Sequence, residues 1–193
     1  DYPDLLAAFG RNKKALWNHY KKYGFYEGRK AYGTSDSVEA KRKVFDVAES
    51  ITNDGMTERE KIKAVHDWII NHTSYDIVNY ENNSIPEDSY SITGVMLKGV
   101  AVCSGYARTF DYFMYVLGIE HEHVTGLVDS SKGGKGGHAW NRVLLDNTWY
   151  YIDCTWDDEP LFGGGERLSY KYYLISYEEM AKDHEAKEFY KTY

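Results

Sequence analysis

Cys103 is one of two cysteines in the 193-residue chain, and it opens an apolar helical period. Ala107, Phe110, Phe113, Met114 and Leu117 trace one helix face that Gly118 ends, so the thiol falls at the helix N-terminus. The positive end of the macrodipole there favours thiolate over thiol. Its flanks, Ser104-Gly105-Tyr106-Ala107, include small residues that leave room for a substrate beside the sulfur. A cysteine taken alone reads as a core residue, so chemistry requires a base and an orienting acid within reach of it.

His138 and Asp153 meet that requirement through strand register. Asp146-Asn147 reads as a two-residue hairpin turn, which pairs Leu145 with Thr148 and, followed back along the ladder, sets His138 opposite Thr155. Side chains alternate with period two, so Asp153 shares a face with Thr155 and becomes a diagonal neighbour of His138, with Cα atoms about 7 to 8 Å apart. The carboxylate then accepts from one ring nitrogen and leaves the other for the thiol proton. The same register turns Cys154 to the opposite face with Tyr150 and Ile152, toward the core, which disfavours a Cys103–Cys154 disulfide.

The other histidines have plainer readings. His66 and His72 fall on a predicted helix, and His19 and His184 fall in polar segments read as helical. His121 and His123 share a strand face but lack a clear third ligand. Gly133-Gly134-Lys135-Gly136-Gly137, just before His138, reads as a flexible loop that admits substrate rather than a phosphate cradle. No metal and no cofactor is expected.

The elements that must position these residues follow from the same patterns. Residues 1–33 read as a hairpin of two short helices, with Leu5, Leu6 and Phe9, then Leu16, Tyr20 and Tyr23, at helical spacing. Residues 34–193 form the main domain. A linker and N-cap at 33–37 leads to a helix over about Val38 to Ile51, and Thr57 with Glu60 forms a capping box for a helix burying Ile62, Val65, Ile69 and Ile70. Residues 73–90 read as a surface loop. Strands are expected over His121–Val128, 138–145, 148–155 and Tyr170–Ile175, with Ser176 capping a short helix. Helices followed by strands predict an α+β fold, with the thiol-bearing helix packed on an antiparallel sheet.

Composition narrows the partners. The 42% apolar share and 19 tyrosines supply a core, which rules against intrinsic disorder. A formal charge of −7 opposes phosphate binding, so nucleic acid is not expected as a partner. No apolar run approaches the roughly 20 residues that span a bilayer.

Three segments, Gly99-Val100-Ala101-Val102-Cys103-Ser104-Gly105-Tyr106-Ala107, Gly137-His138-Ala139-Trp140-Asn141 and Trp149-Tyr150-Tyr151-Ile152-Asp153-Cys154-Thr155-Trp156-Asp157, resemble in order the core motifs of the transglutaminase-like superfamily. The resemblance spans roughly residues 38–180. It implies a papain-like core with Cys103 as nucleophile, His138 as base and acid, and Asp153 as orienter. It also implies an oxyanion role for Tyr75 beside the cysteine backbone N–H. Cys154 departs from the commoner proline after the acid, and Ala101 from the commoner glycine or polar residue.

Some larger animal members use calcium, but Asp157-Asp158 reads as a solvated turn. The resemblance implies a peptide or protein substrate, one displayed at a cell surface included, with hydrolysis first. Transamidation, small-thioester acyl transfer and a non-catalytic binding module stand as alternatives. Residues 1–33, through Tyr2-Pro3-Asp4-Leu5, Ala8-Phe9-Gly10, His19-Tyr20, Tyr23-Gly24 and Glu27-Gly28-Arg29, resemble a short module beside catalytic domains of exported bacterial proteins. That resemblance implies secretion or surface display, with a signal peptide removed.

Overall fold

The capping box at Thr57 forms as its residue types require. The Thr57 hydroxyl accepts from the Glu60 backbone N–H while the Glu60 carboxylate accepts from the Thr57 backbone N–H at 2.7 Å. The computed structural model describes residues 3–10, 12, 15, 16, 19, 23, 38–129, 134–158 and 168–192.

In chain order the named elements are α1 (Pro3–Phe9), α2 (Val38–Ile51), α3 (Glu58–His72), β1 (Ser74–Tyr75), α4 (Ile77–Glu81), β2 (Val100–Ala101), α5 (Cys103–Leu117), β3 (His121–Asp129), β4 (Lys135–Leu145), β5 (Thr148–Ile152), α6 (Tyr177–Met180) and β6 (His184–Tyr190). Most of the second expected N-terminal helix, the linker at 33–37 and the boundary between 33 and 34 lie outside the described residues.

The helical layer is built on α5. Helices α2 and α3 pack against it with stripes at helical spacing: Ala40, Val44 and Ala48 from the first, and Ile62, Val65, Ile69 and Ile70 from the second. Helix α5 buries Tyr106, Phe110, Phe113 and Met114 and lies between these helices and the sheet. Burying a side chain of this size contributes about 1.5 to 3 kcal/mol, so the helix that carries Cys103 is anchored along its length.

The sheet has the order β5-β4-β3-β6, and every adjacent pair is antiparallel. Asp146 and Asn147 both adopt positive φ, 50° and 60°, the turn geometry that matches strand twist, and Leu145 pairs with Thr148 as the sequence predicts. A helical layer on an antiparallel sheet makes the fold α+β. No helix among the described residues is long and apolar enough to cross a membrane.

Five expectations are corrected. Residues 73–90 are not a plain loop: Ser74 and Tyr75 pair in parallel with Val100 and Ala101, α4 follows, and a 3-10 turn spans Glu87–Tyr90. Strand β4 starts at Lys135, so Gly136 and Gly137 are ladder residues paired with Val128 and Leu127. Strand β5 stops at Ile152. The expected strand at Tyr170–Ile175 reduces to one bridge, Ile175 with Tyr151, because the Tyr172 N–H donates to the Asp157 carboxylate instead of a ladder. The polar tail at 184–190, with His184 read as helical, is instead the edge strand β6, where outward polar residues are expected.

Candidate active site

Cys103 is the first residue of α5, preceded by Val102 in extended conformation. The Val102 N–H donates to the Ser89 carbonyl at 2.9 Å, tying the entry of the helix to the 3-10 turn. Gly105 permits this approach: a Cβ there would sit 2.5 Å from the Ser89 carbonyl oxygen and 2.8 Å from the Ala101 Cβ. The parallel pairing of Tyr75 with Ala101 brings the Tyr75 ring toward the thiol, whose charge acts on its hydroxyl.

His138 lies in β4, opposite Gly126 of β3. Asp153 follows the last residue of β5, and its N–H donates to the Tyr172 carbonyl at 3.0 Å. His138 Nε2 and Asp153 Oδ2 stand 2.6 Å apart, both buried. The other carboxylate oxygen, Oδ1, accepts from the Thr155 and Trp156 backbone N–H groups at 2.8 and 3.1 Å. Nδ1 of His138 is left for the Cys103 thiol, with which the ring hydrogen-bonds. Trp140 and Trp156 pack on the His138 ring, each with centroids 5.8 Å away.

The electrostatics favour an ion pair. Burial alone would raise the Cys103 thiol. The hydrogen bond and charge of His138, with the Ala139 backbone N–H, hold it below the ordinary thiol value. Burial alone would lower His138, and the Asp153 charge and hydrogen bond override it upward. Asp153, despite burial, is held far below the usual carboxylate range by His138 first and His184 second. A thiolate beside an imidazolium with a fixed carboxylate behind it is an activated nucleophile.

Both cysteines are free thiols; Cys103 is partly buried and Cys154 is fully buried in the core. Tyr75 is half-buried. Burial first, then the Cys103 charge, pushes its phenol well above the ordinary value, so its hydroxyl stays protonated and can donate.

His184 is the residue that sequence reasoning missed. Its Nε2 lies 3.0 Å from Asp153 Oδ2, and its Nδ1 lies 2.6 Å from Asp183 Oδ1. The missing signal was the β6 strand, which returns a distant polar segment to the site. The Asp157-Asp158 pair was also misjudged, while His66 lies on α3 as expected. His66 is buried between Asp67 and Asp157, and Asp158 accepts from the Tyr106 hydroxyl, so the two carboxylates are interior rather than a solvated turn.

Among the described residues, His138, Asp153 and His184 are a group whose ligand atoms lie within 4.8 Å of one another. Their shared Asp153 oxygen sits at hydrogen-bond distance from both rings. His121 and His123 are instead bonded to the Ile119 carbonyl and the Asp111 carboxylate.

The helix-borne thiol, the antiparallel sheet and the His–Asp pair define a transglutaminase-like domain. The sequence profile of the transglutaminase-like superfamily matches residues 46–154, and the chain belongs to that superfamily. It is similar to human kyphoscoliosis peptidase, 26% identical over 129 residues, which cover 63% of this chain and 19% of that protein. The mouse protein is 24% identical over 130 residues, covering 64% and 19%. The chain therefore spans about a fifth of the length of these curated relatives. The crystal structure of a TGase superposes with a TM-score of 0.53 at 24% identity, over 80% of this chain and 41% of that one.

Proposed function

We propose that the protein is a cysteine-dependent acyl-transfer enzyme that hydrolyses amide bonds of peptides or proteins, with Cys103, His138 and Asp153 as its catalytic residues. The observation that carries the reading is the 2.6 Å contact of His138 Nε2 with Asp153, which leaves Nδ1 to the lowered Cys103 thiol. The Cys103 thiolate attacks the amide carbonyl carbon. Tyr75 and a backbone N–H donate to the resulting oxyanion. The imidazolium of His138 then protonates the leaving amine as the C–N bond breaks and a thioester remains. Water, deprotonated by His138, releases the acid and restores the thiol.

The peptidase name of the human and mouse relatives favours hydrolysis over transamidation. Export to the outside of the cell rests on the resemblance of residues 1–33 to a module of secreted proteins.

Incubation with unfolded casein, with and without a labelled primary amine, tests the reading by mass spectrometry. New peptide termini that vanish in Cys103→Ala are expected. Amine incorporated into glutamine without cleavage would sink the hydrolytic reading, and the same products from Cys103→Ala would sink the triad.

A further inference from the structure

Asp153 is held by more than a two-member pair requires. Its Oδ1 accepts from the Thr155 and Trp156 N–H groups, and its Oδ2 faces two imidazole nitrogens, His138 Nε2 at 2.6 Å and His184 Nε2 at 3.0 Å. Each acceptor direction of the carboxylate is thereby filled. His184 comes from the far end of the chain, on β6 at the position paired with Val128 of β3.

His184 is itself held. Its Nδ1 meets Asp183 Oδ1 at 2.6 Å, and the Tyr172 hydroxyl donates to Asp183 Oδ2 at 2.6 Å. The Tyr172 carbonyl accepts the Asp153 N–H, and the Tyr172 N–H donates to Asp157, which closes a ring of contacts around the acid. Aromatic side chains wall the ring: Trp156 at 4.5 Å, Trp140 at 4.9 Å, Tyr172 at 5.3 Å and His138 at 5.6 Å between centroids. The charged groups facing His184 are thus Asp153 from the turn after β5, His138 from β4 and Asp183 beside it.

We infer that His184 is a positioning residue of the site: its Nε2–H gives Asp153 Oδ2 a second contact beside that of His138, so that the acid can aim the catalytic imidazole at Cys103. The chain of contacts is thus Cys103–His138–Asp153–His184–Asp183, with both histidines on one oxygen of the acid. This rests on the triad reading. The arrangement is a hydrogen-bonded one rather than a metal site, because the shared oxygen lies between the two rings at donor–acceptor distance from each.

Alkylation of Cys103 by iodoacetamide, followed against pH in the full chain by mass spectrometry, separates the claims. His184→Ala is expected to slow alkylation near about pH 6 by about 10- to 100-fold, the scale known for removing the orienting partner of a metal-ligating histidine. The midpoint of its rate–pH curve moves up toward that of a free thiol. His184→Gln, which keeps an N–H donor, recovers most of the rate, and Asp183→Asn shows a smaller loss than His184→Ala.

A purely structural role would lower the melting temperature of His184→Ala and leave the curve in place, which overturns the proposal. If His184→Ala does not fold, a wild-type curve for His184→Asn, whose shorter amide does not reach Asp153, overturns it equally. Loss of the wild-type curve on treatment with EDTA overturns it in favour of a metal. A wild-type curve equal to that of a free thiol defeats the triad reading instead, before His184 is at issue.

Discussion

Asp153 and Cys154 are consecutive residues that face opposite ways: the Asp153 carboxylate meets the His138 ring at 2.6 Å, and the Cys154 side chain is buried in the main core. Burial first, then the surrounding carboxylates, pushes the Cys154 thiol well above its ordinary value. Thiol titration of the native protein is therefore expected to give one fast group, lost in Cys103→Ala, and a second only on unfolding. Two groups of equal rate would contradict the assignment of Cys154 to the core.

The lowered Cys103 and raised His138 set a pH window. The thiolate forms as pH rises through the lowered Cys103 value, and the ion pair persists until His138 deprotonates above the ordinary histidine range. Alkylation of Cys103 should reach half its maximal rate at a pH below that of a free thiol. In His138→Ala the burial that raises the thiol is opposed only by the Ala139 N–H and the helix terminus, and the curve should move up toward the free-thiol position. A curve that stays in place would assign the lowering to the Ala139 N–H and the helix terminus rather than to His138.

The hairpin was legible because its turn residues are specific. Asp146-Asn147 set the Leu145–Thr148 register, and that register carried His138 toward Asp153 and Cys154 away from it. Helices α2, α3 and α5 were legible because their apolar residues keep helical spacing and their ends carry a capping box and Gly118. The segment from Tyr170 to Ile175 was not, since its strand-like residues spend their backbone donors on side chains and turns, which no local pattern records. His184 was hidden for a related reason. A polar edge strand has no apolar period, and its partner Asp153 is 31 residues away in sequence.

His66 gives a stability prediction with a definite sign. Burial acts to lower it, but its bonds to Asp157 and Asp67 raise it above the ordinary value of 6.5. The stabilisation is then fully present below that value and is lost as pH rises through the raised folded value. Removing one partner of a buried pair costs about 3 to 5 kcal/mol, so His66→Asn should lower the melting temperature strongly near about pH 5.5 and much less near about pH 9. Equal losses at the two pH values would mean that packing against Tyr170 and Tyr173, not charge, holds the ring.

Gly105 tests how tightly the nucleophile is seated. An added Cβ would lie 2.5 Å from a backbone carbonyl that cannot swing away, because Ser89 also accepts the Val102 N–H. Gly105→Ala should cost about 3 kcal/mol by chemical denaturation, at the upper end of overpacking penalties. It should also slow Cys103 alkylation, since the first turn of α5 must move. A stable variant with unchanged alkylation would show that the 89–91 segment yields instead.

Tyr75 separates thiol activation from oxyanion stabilisation. Its hydroxyl is a protonated donor beside Cys103 and takes no part in the His138–Asp153 contact. Tyr75→Phe should therefore leave Cys103 alkylation within about twofold of wild type, because iodoacetamide attack forms no oxyanion. Peptide hydrolysis, which passes through a tetrahedral oxyanion, should fall by about 100-fold in kcat with KM little changed, the usual cost of losing one such donor. Equal losses in both assays would assign Tyr75 to the packing of β1 on β2, where its ring supports the entry of α5 rather than the reaction.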